Sequence, residues 1–319
     1  MASPLRRSDR IAGGIWGLLV GDALGVPYEF TAPGAIPPFD LIEMQPPAGF
    51  HRAHAGIRVG TWSDDGAQAL CLLRSLLETG RVDPEDIMGR FCRWFSDGYL
   101  AIDKDVFDVG FQTRLAIDRF LQGKPLLECA PNSEWSNGNG ALMRSLPLAL
   151  WHLGSDADLI SDAMLQSSLT HGHARSGLCC ALYCLWARAT LSGARQPWPA
   201  ALDKFEARFP VGTPERIEYE TKIHPREPDP AKGTGHVVDT LNSAVQALDA
   251  GGYEAVVKAA IQFGNDTDTT ACVAGGIAGL RDGVQAIPER WLRLLRGKDL
   301  VEPSLKALVS RVGMENLFG

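Results

Sequence analysis

Apolar residues return every three or four positions over long stretches of the chain, and alternating runs are scarce. Ala69, Leu70, Leu72, Leu73, Leu76 and Leu77 stand at helical spacing, and the same period recurs over 84–97, 108–121, 141–152, 156–168, 174–192, 238–249, 253–262 and 267–281. This pattern predicts an all-α fold of helices joined by loops. The stretches 31–60 and 209–236 are rich in Pro and Gly. They read as long loops of the kind that border a site, not as interdomain linkers. No internal repeat or low-complexity tract points to a solenoid or a tail.

Composition narrows the class. Hydrophobic residues make up 45% of the 319 positions and charged residues 22%, ordinary for a soluble protein with a substantial core. A net charge of -7 argues against an extended nucleic-acid surface. Seven cysteines form no CxxC pair and mostly sit in apolar helical stretches, as buried thiols in a reducing compartment would. The apolar run Ile11–Val20 follows Arg6, Arg7 and Arg10 and mimics a signal peptide. No segment is expected to reach the ~20 apolar residues of a membrane span, so a cytoplasmic protein away from membranes is expected.

Two acidic motifs carry the chemistry: Ser63-Asp64-Asp65 and Asp266-Thr267-Asp268-Thr269 each lie between a glycine-bearing turn and an apolar helical stretch. Either alone reads as an N-cap with first-turn acids favoured by the helix dipole. Two such motifs without a basic residue suggest a shared oxygen-lined site, because clustered ionised carboxylates need cations to offset their repulsion. Hydroxyls from Ser63 and Thr269 suit Mg²⁺ or Mn²⁺, whereas Zn²⁺ favours nitrogen and sulfur ligands. The motifs must meet, so the length reads as one domain, 1–319 with a core of about 11–281, although it would allow two.

The surrounding sequence resembles a known family. Gly21-Asp22-Ala23-Leu24-Gly25-Val26-Pro27-Tyr28-Glu29-Phe30, Gly60-Thr61-Trp62-Ser63-Asp64-Asp65, Ser136-Asn137-Gly138-Asn139-Gly140-Ala141-Leu142-Met143-Arg144, Thr170-His171-Gly172-His173 and Gly264-Asn265-Asp266-Thr267-Asp268-Thr269 form an ordered series similar to that of the ADP-ribosylglycohydrolases. The resemblance implies a single compact orthogonal helical bundle around a dinuclear Mg²⁺ or Mn²⁺ centre. It implies Ser63, Asp64, Asp65, Asp266, Asp268 and Thr269 as the metal set, and Glu29, Asp64, Asp65 and Asp268 as catalytic. Asp22 reads as a structural cap. Gly66 departs from the hydroxyl residue common after the aspartate pair.

The resemblance also makes Ser136, Asn137, Gly138, Asn139 and Gly140 a phosphate-binding turn, whose backbone N–H groups could meet a pyrophosphate, with Gly110 as a second close glycine. His171 is implied as a ligand contact, and His173 as a cap or packing residue. Gly235 and His236 fall in a segment resembling a pocket-lining Gly-Tyr-Val, with His236 in place of the phenol. The implied activity is hydrolysis of the glycosidic bond between ADP-ribose and an ADP-ribosylated acceptor: a protein side chain, a nucleobase or a small molecule. A two-metal phosphohydrolase and a catalytically silent ADP-ribose-binding module are the alternatives.

Overall fold

The computed structural model describes residues 5–224, 226 and 230–314. Among the described residues fourteen α-helices follow one another: α1 (Arg7–Gly25), α2 (Asp64–Thr79), α3 (Pro84–Asp97), α4 (Phe111–Leu121), α5 (Leu146–Trp151), α6 (Asp156–Ser168), α7 (Ala174–Leu191), α8 (Pro197–Arg208), α9 (Pro214–Glu218), α10 (Val237–Ala247), α11 (Tyr253–Gln262), α12 (Thr267–Asp282), α13 (Glu289–Leu294) and α14 (Lys298–Met314). Among the described residues there is no strand, only an isolated bridge between Gly138 and His236. The fold is all-α, as the periodicity predicts. Helix 108–121 begins later than expected, at Phe111, and 141–152 shrinks to α5 because Ala141–Arg144 form turns.

The apolar run Ile11–Val20 belongs to α1, the central helix. By length and hydropathy the segment Arg7–Tyr28 would suffice to cross a membrane, contrary to the expectation that no segment would, but 89% of its most apolar 18-residue stretch is buried inside the protein. α1 and α12 cross with their backbones in contact. Gly13, Gly17, Gly21 and Gly25 recur every four residues along one face of α1, and a Cβ on Gly17 would lie 2.5 Å from Gly275 O. A Cβ on Gly21 would collide with Ala271 O, and one on Gly13 with Gly279 O. Only glycines permit this approach, which sets the C-terminal end of α1 beside the N-terminal end of α12.

Helix ends follow from local sequence. Ser63 caps α2, accepting from Asp65 N–H at 3.3 Å. α6 opens with a reciprocal box between Ser155 and Asp158, which satisfies two otherwise orphaned N–H groups. The packed core continues past 281: Trp291, Val301 and Leu308 are fully buried, and α14 docks on α2, where Arg74 Nε donates to Ser304 Oγ.

Candidate active site

The N-termini of α2 and α12 converge on the last turn of α1. Asp22, wholly buried, accepts from Ser63 N–H at 2.9 Å and Gly66 N–H at 2.8 Å, capping α2 as its sequence context suggests. Gly66 has no room for a side chain, because a Cβ there would lie 2.7 Å from Leu19 Cδ2 and 2.8 Å from Trp62 Cγ. Thr269 Oγ1 and Ser63 Oγ each lie 3.3 Å from Asp65 Oδ2, joining the two acidic motifs directly. Asp266 caps α12, accepting from Thr269 N–H through Oδ1, while its Oδ2 accepts from Asn139 Nδ2 at 2.8 Å.

Above this junction opens a cleft of about 470 Å³, lined by Glu29, Asp64, Asp65, Asp108, Asp266 and Thr269 together with Gly110, Gln112, Thr113, Trp135, Ser136, Gly138, Asn139, Gly140, His171 and Gly235. Ser63 and Asp268 lie buried beneath that lining. Burial, then repulsion from neighbouring acids, pushes Asp64, Asp65 and Asp268 far above the ordinary carboxylate range. Glu29 is pushed up to about 10 by burial and by Asp108, Asp266 and Asp22. Asp108 is raised chiefly by burial and Asp266.

The donor chemistry fits a hard divalent cation. Among the described residues Asp65 Oδ1 and Asp268 Oδ2 are buried without a hydrogen-bond partner, and an unpartnered buried carboxylate oxygen is costly unless something cationic meets it. Asp64, Asp65, Asp266, Asp268, Ser63 and Thr269 offer oxygen only, as Mg²⁺ and Mn²⁺ prefer.

The glycine turn is wired differently from the expected phosphate cradle. Three of its N–H groups are already committed: Ser136 N–H donates to Ser133 O, Gly138 N–H to Gln112 Oε1 at 2.7 Å, and Asn139 N–H to Gly235 O at 3.1 Å. Asn137 points away from the cleft, donating to Glu134 O and accepting from Ser176 Oγ. His236 likewise does not line the cleft. It caps α10, its Nδ1 accepting from Val238 N–H at 3.3 Å. His173 caps α7 in the same way. His171 does reach the cleft, and burial with help from Arg144 pushes its pKa down to about 3, so the ring is neutral.

Asp108 and Gln112, which line the cleft, and His54, which stands against Glu29, escape the sequence reading. His54 Nε2 lies 2.6 Å from Glu29 Oε2, and its ring lies between those of Phe30 and Phe107 at 5.7 and 5.1 Å. Phe30, His54 and Asp108 hold φ of 58°, 49° and 53°. Such left-handed non-glycine residues cost on the order of 1–3 kcal/mol each and concentrate at functional sites. Gln112 spends Oε1 on Gly138 and leaves its buried Nε2 without a partner. A polar residue opening a helix beside Gly110 was the available signal for Gln112; isolated loop residues such as His54 gave none.

The chain is similar to several known proteins over most of its length. The family model described as ADP-ribosylglycohydrolase matches residues 3–316. The ADP-ribosyl-dinitrogen reductase glycohydrolase of Rhodospirillum rubrum is 30% identical over 96% of this chain and 98% of its own. The ADP-ribosylarginine hydrolase Tri1 of Pseudomonas putida is 27% identical over 97% and 80%. The ADP-ribosylhydrolase ARH3 of Danio rerio is 25% identical over 94% and 90%. A solved ADP-ribosylglycohydrolase-related protein complex superposes with a TM-score of 0.75 at 32% identity, covering 96% of this chain and 98% of that one.

Proposed function

The chain belongs to the ADP-ribosylglycohydrolase family, and from that premise we propose that it is a metal-dependent hydrolase releasing ADP-ribose from an ADP-ribosylated acceptor by cleavage at the anomeric carbon of the distal ribose. The observation that carries this reading is the pair of unpartnered buried oxygens, Asp65 Oδ1 and Asp268 Oδ2, beneath a cleft of nucleotide size. Asp64, Asp65, Asp266, Asp268, Ser63 and Thr269 would hold two Mg²⁺ or Mn²⁺ ions, which supply charge balance, orientation of ribose hydroxyls and activation of water.

The chain's own groups do the rest. Glu29 keeps its proton in the metal-free pocket and has His54 Nε2 2.6 Å from Oε2 as the partner for that proton, so it suits proton exchange with the leaving group or the attacking water. The transition state of glycoside cleavage acquires oxocarbenium character, which the metal charge opposes, so the acids would help by orienting the ribose hydroxyls and water rather than by charge attraction. Asn139 fixes Asp266, and Gln68 Nε2 fixes Asp64 Oδ2 at 3.0 Å, so neither acid must reorganise on binding. On the wall, Gln112 Nε2 and His171 offer neutral donors to ligand oxygens.

The names of the relatives, an arginine-linked hydrolase and one acting on dinitrogen reductase, support a protein side chain or small molecule as acceptor. The unpaired cysteines support a reducing, cytoplasmic setting. The deciding experiment incubates defined ADP-ribosylated acceptors with Mg²⁺ or chelator and weighs the products. Free ADP-ribose formed only with metal is expected. AMP with ribose phosphate would instead make the protein a pyrophosphatase, and binding without turnover a silent reader.

A further inference from the structure

Arg144 is a wholly buried cation that meets no carboxylate among the described residues. Its guanidinium donates to Gln166 Oε1 at 3.0 Å, Gln166 O at 2.9 Å, Gln68 Oε1 at 2.9 Å and Thr170 Oγ1 at 2.9 Å, and it lies 4.6 Å from the centre of the Phe91 ring. Five N–H donors and no acceptor give this group a fixed directional effect on whatever it faces. Because Arg144 always donates, Gln68 must present its carbonyl backwards and its amide forwards, to Asp64. Thr170 is constrained in the same way. Its oxygen is taken by Arg144, and Thr170 Oγ1 lies 2.8 Å from His171 Nδ1.

Two arrangements satisfy that last contact. A proton on Nδ1 would make Thr170 Oγ1 accept twice and leave its hydroxyl proton stranded in a fully buried place, since Nδ1 is the only acceptor left to it among the described residues. A proton on the hydroxyl, donated to Nδ1, strands nothing, and buried polar groups are overwhelmingly found paired. The imidazole proton then resides on Nε2, which makes no hydrogen bond among the described residues and faces the glycine turn. A Cβ on Gly138 would come within 3.4 Å of Nε2 and one on Gly140 within 3.0 Å of Cε1, so the two glycines clear the space in front of the ring.

We infer that Arg144 and Thr170 are positioning residues that lock His171 in the Nε2–H tautomer, making the imidazole a permanent neutral donor to an oxygen of the bound ligand. This inference rests on the reading that ADP-ribose occupies the cleft. It assigns a role to a buried arginine that the hydrolytic chemistry does not itself use. A neutral donor adds no positive charge beside an oxocarbenium-like centre, and its direction survives changes of pH because the ring stays neutral.

The test is nitrogen NMR of histidine-labelled, ligand-free, full-length protein, with His171→Gln identifying the signal among the seven histidines. The expected spectrum has a protonated Nε2 and an unprotonated, hydrogen-bonded Nδ1. Thr170→Val should mix or reverse the tautomers and weaken ADP-ribose binding roughly fivefold, about the worth of one hydrogen bond. Thr170→Ser should restore both. A proton on Nδ1 in the unaltered protein overturns the inference, and this reading stands even if Thr170→Val fails to fold. So does a wild-type tautomer in a folded Thr170→Val protein. A locked Nε2–H in a protein that binds no ADP-ribose overturns the choice of ligand and the proposed activity, while the Arg144–Thr170 device itself is upheld.

Discussion

Asp64 and Asp268 carry similar burdens with different support. Asp64 Oδ2 accepts from Gln68, whereas Asp268 Oδ2 has no hydrogen-bond partner among the described residues. Replacing either by Asn removes a carboxyl whose ionisation burial and its neighbours oppose, so Asp64→Asn and Asp268→Asn should each lower turnover at least about a hundredfold while metal-free stability holds or rises. Turnover and melting temperature, both measured, decide this: unfolding of both variants would return the two acids to a purely capping role. His236 is the contrasting residue. Its ring caps α10 and stands exposed beyond the cleft lining, so His236→Ala should leave ADP-ribose affinity within about twofold, less than a single hydrogen bond is worth. A larger loss by calorimetry would put the ring back in the pocket. The sequence makes the acids legible because Asp64-Asp65 and Asp266-Thr267-Asp268 each cluster at the start of a helix. It hides Asp108 and His54 because each is a single polar residue brought in by loops whose left-handed turns at Phe30, His54 and Asp108 leave no periodic trace, and Gln112 because it is a single polar residue in the first turn of α4.

The crossing of α1 and α12 is the element on which the site depends, because those two helices carry Asp22 and Asp268. A methyl at Gly275 would lie 2.5 Å from Gly17 O, backbone that cannot step aside. Gly275→Ala should therefore destabilise by roughly 1–3 kcal/mol, as overpacking does, and should also weaken Mg²⁺ binding as the helix ends separate. Gly89, inside α3 with nothing within 4 Å of its would-be Cβ, supplies the control: Gly89→Ala should stabilise by about 0.5–1 kcal/mol. Urea denaturation of both variants tests the contact argument, which fails if the two shift in the same direction. Helices with a clear apolar period, such as α2, α7 and α12, were readable along the chain. α8 was not, with Pro197 and Pro199 in its first turn, nor was α14, with Pro303 inside it. Their helicity comes from docking on the core, a tertiary effect that local pattern does not encode. The glycine stripe of α1 was likewise invisible, since its partner lies near the other end of the chain.

At the scale of the whole molecule the acid cluster makes stability depend on pH and on cations together. Glu29 is raised to about 10 and Asp22 to about 7, both chiefly by burial, against unfolded values of about 4. Below about pH 4 these groups are protonated whether the chain is folded or not, and their contribution to stability is fully present. As pH rises, the unfolded chain releases the protons while the folded chain keeps them, so stability falls progressively, through about pH 7 for Asp22 and towards about pH 10 for Glu29. A divalent cation bound to Asp64, Asp65, Asp266 and Asp268 removes the reason to hold those protons and stabilises only the folded state. The metal-free protein should thus melt lower at pH 8 than at pH 5, and the rise in melting temperature on adding Mg²⁺ or Mn²⁺ should be several degrees larger at pH 8 than at pH 5. Turnover should vanish on chelation and return with these ions better than with Zn²⁺, whose preferred nitrogen and sulfur ligands are missing from the set. A melting temperature that is flat with pH in chelator, or a Mg²⁺ shift of equal size at both pH values, would mean that the buried acids are not held apart by a cation, and full activity without metal would remove the ions from the reaction.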